Sequence, residues 1–436
     1  MMSKVNVFWF RRDLRLNDNA GLYQALKSDN PVLPIFIYDR NIIDELPKDD
    51  ARLTFIFNTL QNINETLKEK HNSSIAFYHG KSDEVFKNII NEYEIDTVYT
   101  NRDYEPYAKE RDRQIESILN QNDISFKTYK DLVVFEKDEL VKNDGKPYLV
   151  FTPYMKKWKK TFKDVDLPNY PSENHLGNLI QSKNLPHLSL EDMGYKPSSI
   201  KVPGYNLSID LIENYEMTRD KPSINGTSRL SPYLRFGLVG YREVMSKALS
   251  AKNETFLNEL IWREFYMMIL FHYPKSIGHA FKKKYDRIKW RNNEKEFEKW
   301  KNGQTGYPIV DAGMRQLNET GWMHNRVRMI VGSFLCKHLL IDWRWGEAYF
   351  AEKLLDYELS SNVGGWQWVA GSGVDAAPYF RIFNPYSQAD KFDKDKKYIK
   401  KWVTEFETED YPNPIISHKK ARERCLETYK TALKEV

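Results

Sequence analysis

Only two cysteines occur in 436 residues: Cys336 within Phe334-Leu-Cys-Lys-His-Leu339, and Cys425 near the end. A disulfide framework needs pairs and a cysteine metal site needs clusters, so neither is expected, and a reducing cytoplasm suits the chain. No run approaches the roughly 18 apolar residues of a membrane span. The opening Met1-Met-Ser-Lys-Val-Asn-Val-Phe-Trp-Phe10 also lacks a basic region ahead of a long apolar one. A soluble, intracellular protein is expected, with no membrane partner. A dominant charge sign is missing too: 66 basic and 61 acidic residues leave +5, far from the density of a histone-like binder. Two short basic runs have aromatics in or beside them, Lys156-Lys-Trp-Lys-Lys160 and Lys282-Lys-Lys284. Each fits either a phosphate backbone or an ordinary solvated face.

The length gives room for two or more domains of roughly 100–200 residues. In the first third, apolar runs at Val5 to Phe10, Val32 to Tyr38, Ile75 to His79, Thr97 to Thr100 and about Ile124 to Tyr129 alternate with helical stretches such as Leu53 to Leu67 and Ser82 to Tyr93. That is the βαβ rhythm of a parallel sheet. No Gly-x-Gly-x-x-Gly follows the first run, so the dinucleotide fingerprint is missing where a Rossmann site needs it. Gly371-Ser-Gly-Val-Asp-Ala376 mimics such a motif without a strand before it and is discounted. From Val133 the composition turns irregular, with a turn at Lys142-Asn-Asp-Gly-Lys-Pro147 and coil at Leu167-Pro-Asn-Tyr-Pro171. Beyond Gly204 helical periodicity dominates, as in Phe256, Leu260, Ile261, Phe265 and Met268. The expected fold is an α/β domain over 1–131 with a Rossmann-like, five-stranded parallel sheet, a connecting segment over 132–203, and an all-α domain over 204–436. No internal repeat is present, and a long tail after Lys401-Trp-Val-Thr404 is not expected.

Some segments hold more chemistry than a core requires. Gly321-Trp-Met-His-Asn-Arg-Val-Arg-Met329 spaces Trp322, Asn325, Arg326, Arg328 and Met329 by threes and fours, which predicts one helix side that is apolar, polar and cationic together. Asn362-Val-Gly-Gly-Trp-Gln-Trp368 adds an amide and two indoles. Thr227-Ser-Arg-Leu-Ser231 follows Asn225-Gly226 and precedes a helical pattern. Hydroxyls and free N–H groups there make either a plain helix cap or a phosphate cradle.

Together with Ala370-Gly-Ser-Gly-Val-Asp-Ala-Ala-Pro-Tyr-Phe-Arg-Ile-Phe-Asn-Pro385, these segments closely resemble the flavin domain of the DNA photolyase and cryptochrome family, nearest to the bacterial photolyases that act on cyclobutane pyrimidine dimers. Val7-Phe-Trp-Phe-Arg-Arg-Asp-Leu-Arg-Leu-Asn17 is similar to the family's first strand and turn. Thr227 to Gly237, Asn258 to Tyr266 and Thr305 to Arg315 also match in family order, so the resemblance spans nearly the whole chain.

The resemblance implies FAD. Thr227, Ser228, Leu230 and Ser231 would contact its pyrophosphate, with Arg229 in the same segment and Tyr215 nearby. Arg328, Asp356 and Asn362 would surround the isoalloxazine ring, with Glu259, Arg263 and Asn325 in the same shell. A guanidinium stabilises a reduced flavin anion, and Asp356 would orient it; an amide such as Asn362 can accept or donate. The family's Asp-x-Asp stands here as Asp356-Tyr-Glu358, with a longer second acid, and Phe256 stands where relatives often have Trp. A role for Glu358 through its backbone would make that change harmless; a role through its carboxylate would alter flavin tuning.

Trp262 and Trp368 are implied as flat walls for a flipped-out dimer, with Glu259 and Asn325 bonding its edges and Met329 beneath. Arg219, Arg326 and Arg381 would hold the phosphates beside the lesion. Asn325 favours cyclobutane dimers, because (6-4) photolyases carry histidine there; His324, one residue earlier, would point elsewhere on a helix. Trp366, Trp343 and Trp290 match the family's electron relay to the surface. The implied reaction is light-driven electron transfer from reduced FAD to the dimer, with the electron returned and no metal or nucleophile. UV-damaged DNA is the partner, and a monomer is expected. Asn101-Arg-Asp-Tyr-Glu-Pro-Tyr-Ala-Lys-Glu-Arg-Asp112 lies where members approach an antenna chromophore, and folate, deazaflavin, another flavin or nothing all fit. A cryptochrome photoreceptor and a flavoprotein that binds lesions without splitting them are the competing functions.

Overall fold

The computed structural model describes residues 4–434. Five strands, β1 (Val5–Phe10), β2 (Val32–Asp39), β3 (Ala76–Gly80), β4 (Ile95–Asn101) and β5 (Ser125–Tyr129), pair in parallel in the order β3-β2-β1-β4-β5. Helices α1 (Ala20–Leu26), α2 (Ala51–Lys70), α3 (Ser82–Glu92) and α4 (Pro106–Asn120) make the crossovers. Both faces are covered, so β1 and β2 are buried throughout. Alternation splits them: Phe8, Phe10 and Tyr38 enter one core cluster, while Val7, Trp9 and Ile35 enter another. This is the doubly wound sheet expected from the sequence.

Contacts divide the chain into two units. The first takes the chain up to Glu139, with Thr161–Pro203 and Leu230–Lys247; the second takes Leu140–Lys160, Gly204–Arg229 and the described chain from Ala248 onward. The stretch 132–203 is thus shared between them. Leu230–Lys247 is held in the first unit by charge: Asp131 accepts from Arg15 at 2.7 Å and from Arg242 at 2.7 Å. Gly237, at φ +68°, passes so close that a Cβ would sit 2.4 Å from the Arg12 carbonyl.

Every described strand lies in the first unit, and the second is helical: α5 (Phe151–Phe162), α6 (Ile209–Thr218), α7 (Thr255–His272), α8 (Pro308–Thr320), α9 (Asn325–Ser333), α10 (Trp343–Lys353), α11 (Leu359–Ala370) and α12 (His418–Lys434), besides shorter turns. Its main core gathers Trp300, Val331, Leu335, Trp343, Phe350 and Trp366. α5 lies against α7, where the buried Trp158 Nε1 donates to Glu264 Oε2 at 2.6 Å. The aromatic inside Lys156 to Lys160 is therefore a core residue. Its lysines 156, 157 and 160 are exposed, so that run is a solvated helix face.

Candidate functional site

Three helices of the second unit each leave one stripe open. On α7 the stripe is Asn258, Glu259, Trp262, Arg263 and Tyr266, spaced by threes and fours, while Phe256, Leu260, Ile261, Phe265 and Met268 are buried. On α9, Asn325 is exposed and Arg326, Arg328 and Met329 are half-buried above buried Val327, Ile330 and Val331. On α11, Ser361, Asn362, Gly364, Gly365 and Trp368 are half-buried while Val363, Trp366 and Val369 are not exposed. α11 packs against both α7 and α9. Its approach to α7 is close: a Cβ on Gly364 would meet the Tyr266 ring at 2.3 Å. Each of these packed helices thus keeps indoles, guanidinium groups or amides partly accessible, which makes the three stripes the candidate ligand surface.

The polar groups on it hold one another in place. Arg328 Nη2 donates to Asp356 Oδ2 at 2.9 Å, and its Nε donates to the Met323 carbonyl at 2.8 Å, so the guanidinium is fixed from two sides. Asn362 Nδ2 donates to the Glu347 carbonyl at 3.1 Å and to its carboxylate at 2.9 Å. The backbone acceptor fixes the amide's orientation and leaves Oδ1 for a ligand. Burial pushes the Glu347 carboxyl pKa up. Glu259 pairs with Arg219. Burial raises the Glu259 carboxyl although 35% of its side chain is accessible, and the Arg219 charge only partly opposes this. Arg326 donates to Asp220 Oδ1 at 2.7 and 3.0 Å and stacks over Phe392 at 4.4 Å.

The other expected residues fall as follows. Tyr215 on α6 meets Phe256 edge-on at 5.2 Å, so the phenyl ring fills a wall position against Tyr215. Thr227 and Ser228 lie in an irregular loop, where the Ser228 carbonyl accepts from Asn206 at 2.8 Å. Arg229, at φ +52°, lies over Trp322 at 5.4 Å. The helix there is short, Ser231–Arg235, with Leu230 as a cap lacking a side-chain bond. Leu230 and Ser231 are also counted with the first unit. Arg381 is exposed beside an exposed Phe380. Trp343 and Trp366 are buried in the main core and Trp290 packs against the same cluster.

Two expectations need correction. Trp322 is not on the α9 helix, because Gly321 ends α8 in a left-handed conformation and the next helix starts only at Asn325. His324 is not a helical residue pointing elsewhere; it caps α9, its Nδ1 accepting from Arg326 N at 3.1 Å. Burial lowers its pKa to about 4, so it is the neutral acceptor that a cap requires. The Glu358 carboxylate is engaged as a helix cap: Oε2 accepts from Ser361 N at 3.0 Å and from the Ser360 hydroxyl at 2.5 Å. Sequence reasoning missed Asp220, Glu347 and Phe151, which contact candidate site residues, Asp220 from 106 residues away and Glu347 from the preceding helix. Nothing local in the sequence marks them.

An anchored guanidinium, an oriented amide and flanking indoles suit a flat heterocycle with N–H and C=O edges, so the donor set fits a flavin. Fold and site thus define a flavoprotein class, a doubly wound sheet unit with a separate helical cofactor unit. Residues 256–408 match the family described as the FAD-binding domain of DNA photolyase, and residues 6–172 match the DNA photolyase family. A deoxyribodipyrimidine photo-lyase of Alkalihalophilus pseudofirmus is 36% identical over 97% of both chains. A class III photolyase structure from Agrobacterium tumefaciens superposes with a TM-score of 0.88 at 34% identity, covering 100% of this chain and 98% of that one. An archaeal photolyase from Sulfolobus tokodaii with two FAD molecules gives 0.83 at 34% identity, covering 98% and 100%. The chain belongs to the DNA photolyase family.

Proposed function

We propose that this protein repairs cyclobutane pyrimidine dimers in DNA with light. The observation that carries this is the grouping of Glu259, Trp262, Asn325, Met329 and Trp368 on the open stripes of α7, α9 and α11, which also bear Arg328 and Asn362. FAD held by these residues would, when reduced, supply the light-driven electron transfer that such repair requires. The protein's own residues bind and orient. Arg328, held by Asp356, would present a fixed positive charge to the flavin ring, with Arg263 in the same stripe, and Asn362, held through its Nδ2, would offer its Oδ1 as an acceptor. Tyr215, Thr227, Ser228 and Arg229 would contact the diphosphate. Trp262 and Trp368 stack on the flipped bases, Glu259 and Asn325 bond their edges, and Met329 packs beneath. Arg219, Arg326 and Arg381 position the strand. Glu358 supports the site by capping the helix that carries Asn362 and Trp368. Trp366, Trp343 and Trp290 relay electrons to the flavin from the surface.

The first unit carries the antenna site in this reading. Strand order reverses between β1 and β4, the position where doubly wound sheets bind ligands. Arg111 stacks over Trp9 at 4.7 Å there, and Tyr107 donates to Asp39 at 2.5 Å. The Sulfolobus relative, with its two FAD molecules, supports a flavin as one candidate beside folate and deazaflavin. The protein works as a monomer in the cytoplasm.

The test is anaerobic illumination of chemically reduced protein with oligo-thymidine containing cyclobutane dimers, following recovery of thymine absorbance against a dark control. Light-dependent recovery is expected. Its absence from flavin-loaded, reduced protein would leave a cryptochrome-type photoreceptor as the function.

A further inference from the structure

The indole of Trp262 has one face already occupied. Phe151, the first residue of α5, lies parallel to it, with ring centroids 3.7 Å apart and 8° between planes. Its other ring neighbours meet it obliquely: Phe265 edge-on at 84° and Tyr266 tilted by 33°, both at 5.5 Å. Phe151 is itself buried and anchored through its backbone, its N–H donating to Asp375 Oδ2 at 3.0 Å. Asp375 lies between α11 and Arg381, so one carboxylate ties the start of α5 to the loop that carries a strand-positioning arginine.

A close-packed ring lying parallel against one face limits the tilt of an indole more than a smaller aliphatic side chain would. For a plate that must receive an unstacked base on its other face, that plane sets the quality of stacking. We propose that Phe151 and Asp375 are positioning residues for lesion recognition, Phe151 backing Trp262 and Asp375 locking Phe151. This rests on the reading that Trp262 stacks on the flipped dimer.

The test is a double-mutant cycle on full-length, flavin-loaded protein: Phe151→Leu, Trp262→Ala and the pair together. Affinity is measured for a dimer-containing oligo-thymidine and for the same strand undamaged. Phe151→Leu should weaken lesion binding about two- to tenfold, the range that aromatic pairing commands. FAD content and undamaged-strand affinity should hold, and Phe151→Tyr should restore binding. In the Trp262→Ala background Phe151→Leu should cost nothing further, because Phe151 acts through the indole. Lesion affinity equal to the parent's in Phe151→Leu, with Trp262→Ala weakened, would overturn the positioning role and leave the site reading intact. An equal loss in the Trp262→Ala background would overturn it too. Full affinity in Trp262→Ala would bring down the site reading and this proposal with it. Should Phe151→Leu lose its flavin, Asp375→Ala against Asp375→Asn decides, since only asparagine keeps the acceptor: weakening by both alike or by neither overturns the role.

Discussion

Trp368 is half-buried on the open stripe of α11, while Trp366, two residues earlier, is 3% exposed. The two indoles of one heptapeptide therefore take different duties, decided by the helical turn between them. Trp368→Ala should weaken binding to dimer-containing DNA about five- to 150-fold, the equivalent of about 1–3 kcal/mol for a stacked base, while FAD stays bound. Competition binding against undamaged DNA checks this. His324 gives a second prediction of single-residue scope. Its folded pKa of about 4 lies below the ordinary 6.5 because burial disfavours the imidazolium. Its contribution is thus complete above pH 6.5 and is lost as pH falls toward 4, roughly 3 kcal/mol over that window. Protonation also destroys the acceptor that caps α9. His324→Asn, which keeps a capping oxygen without a titrating ring, should flatten acid unfolding over that window, as read by denaturant midpoints at each pH.

Between elements, the approach of α10 to α11 depends on Gly346, where an added Cβ would lie 2.1 Å from the Trp366 ring. That ring is enclosed and cannot swing aside. Gly346→Ala should force the helices apart, cost about 1–3 kcal/mol as overpacking does, and loosen FAD retention. Thermal melting with flavin release reports both. The same pair of helices carries two members of the proposed relay, Trp343 at the start of α10 and Trp366 within α11. Trp343→Phe preserves the aromatic packing and removes an oxidisable indole. Photoreduction of oxidised flavin should fail in this variant while repair by previously reduced enzyme continues; loss of both would contradict the relay.

For the whole molecule, a charge of +5 is too small to drive DNA binding by itself, so the salt dependence should come from a few placed arginines. Arg219 and Arg326 face Glu259 and Asp220, whereas Arg381 has no carboxylate partner among the described residues. Arg381→Ala should weaken damaged and undamaged DNA alike and lower the slope of log affinity against log salt by about 1. Arg219→Ala should change the preference for damaged DNA more than the slope, because it also releases Glu259. Fluorescence titrations over a salt series separate the two effects.

The sheet was legible because its strands are buried on both faces and read as continuous apolar runs, and the buried face of α7 because a helix repeats every 3.6 residues. Both signals are written within a few residues of one another, and so are the caps and turns. Trp322 misled for the same reason: its spacing fits a helix, and only the left-handed Gly321 and the cap at His324 show that the helix begins later. What the sequence could not display is who holds whom across distance. Asp220 meets Arg326 from 106 residues away, Glu347 orients Asn362, and Phe151 backs Trp262 from a segment whose composition suggests only a linker. Local propensity and turn chemistry determine which elements form and which faces they bury. Contacts between distant segments are settled only when the chain closes its loops and packs those faces together, and that step decided the geometry of the site.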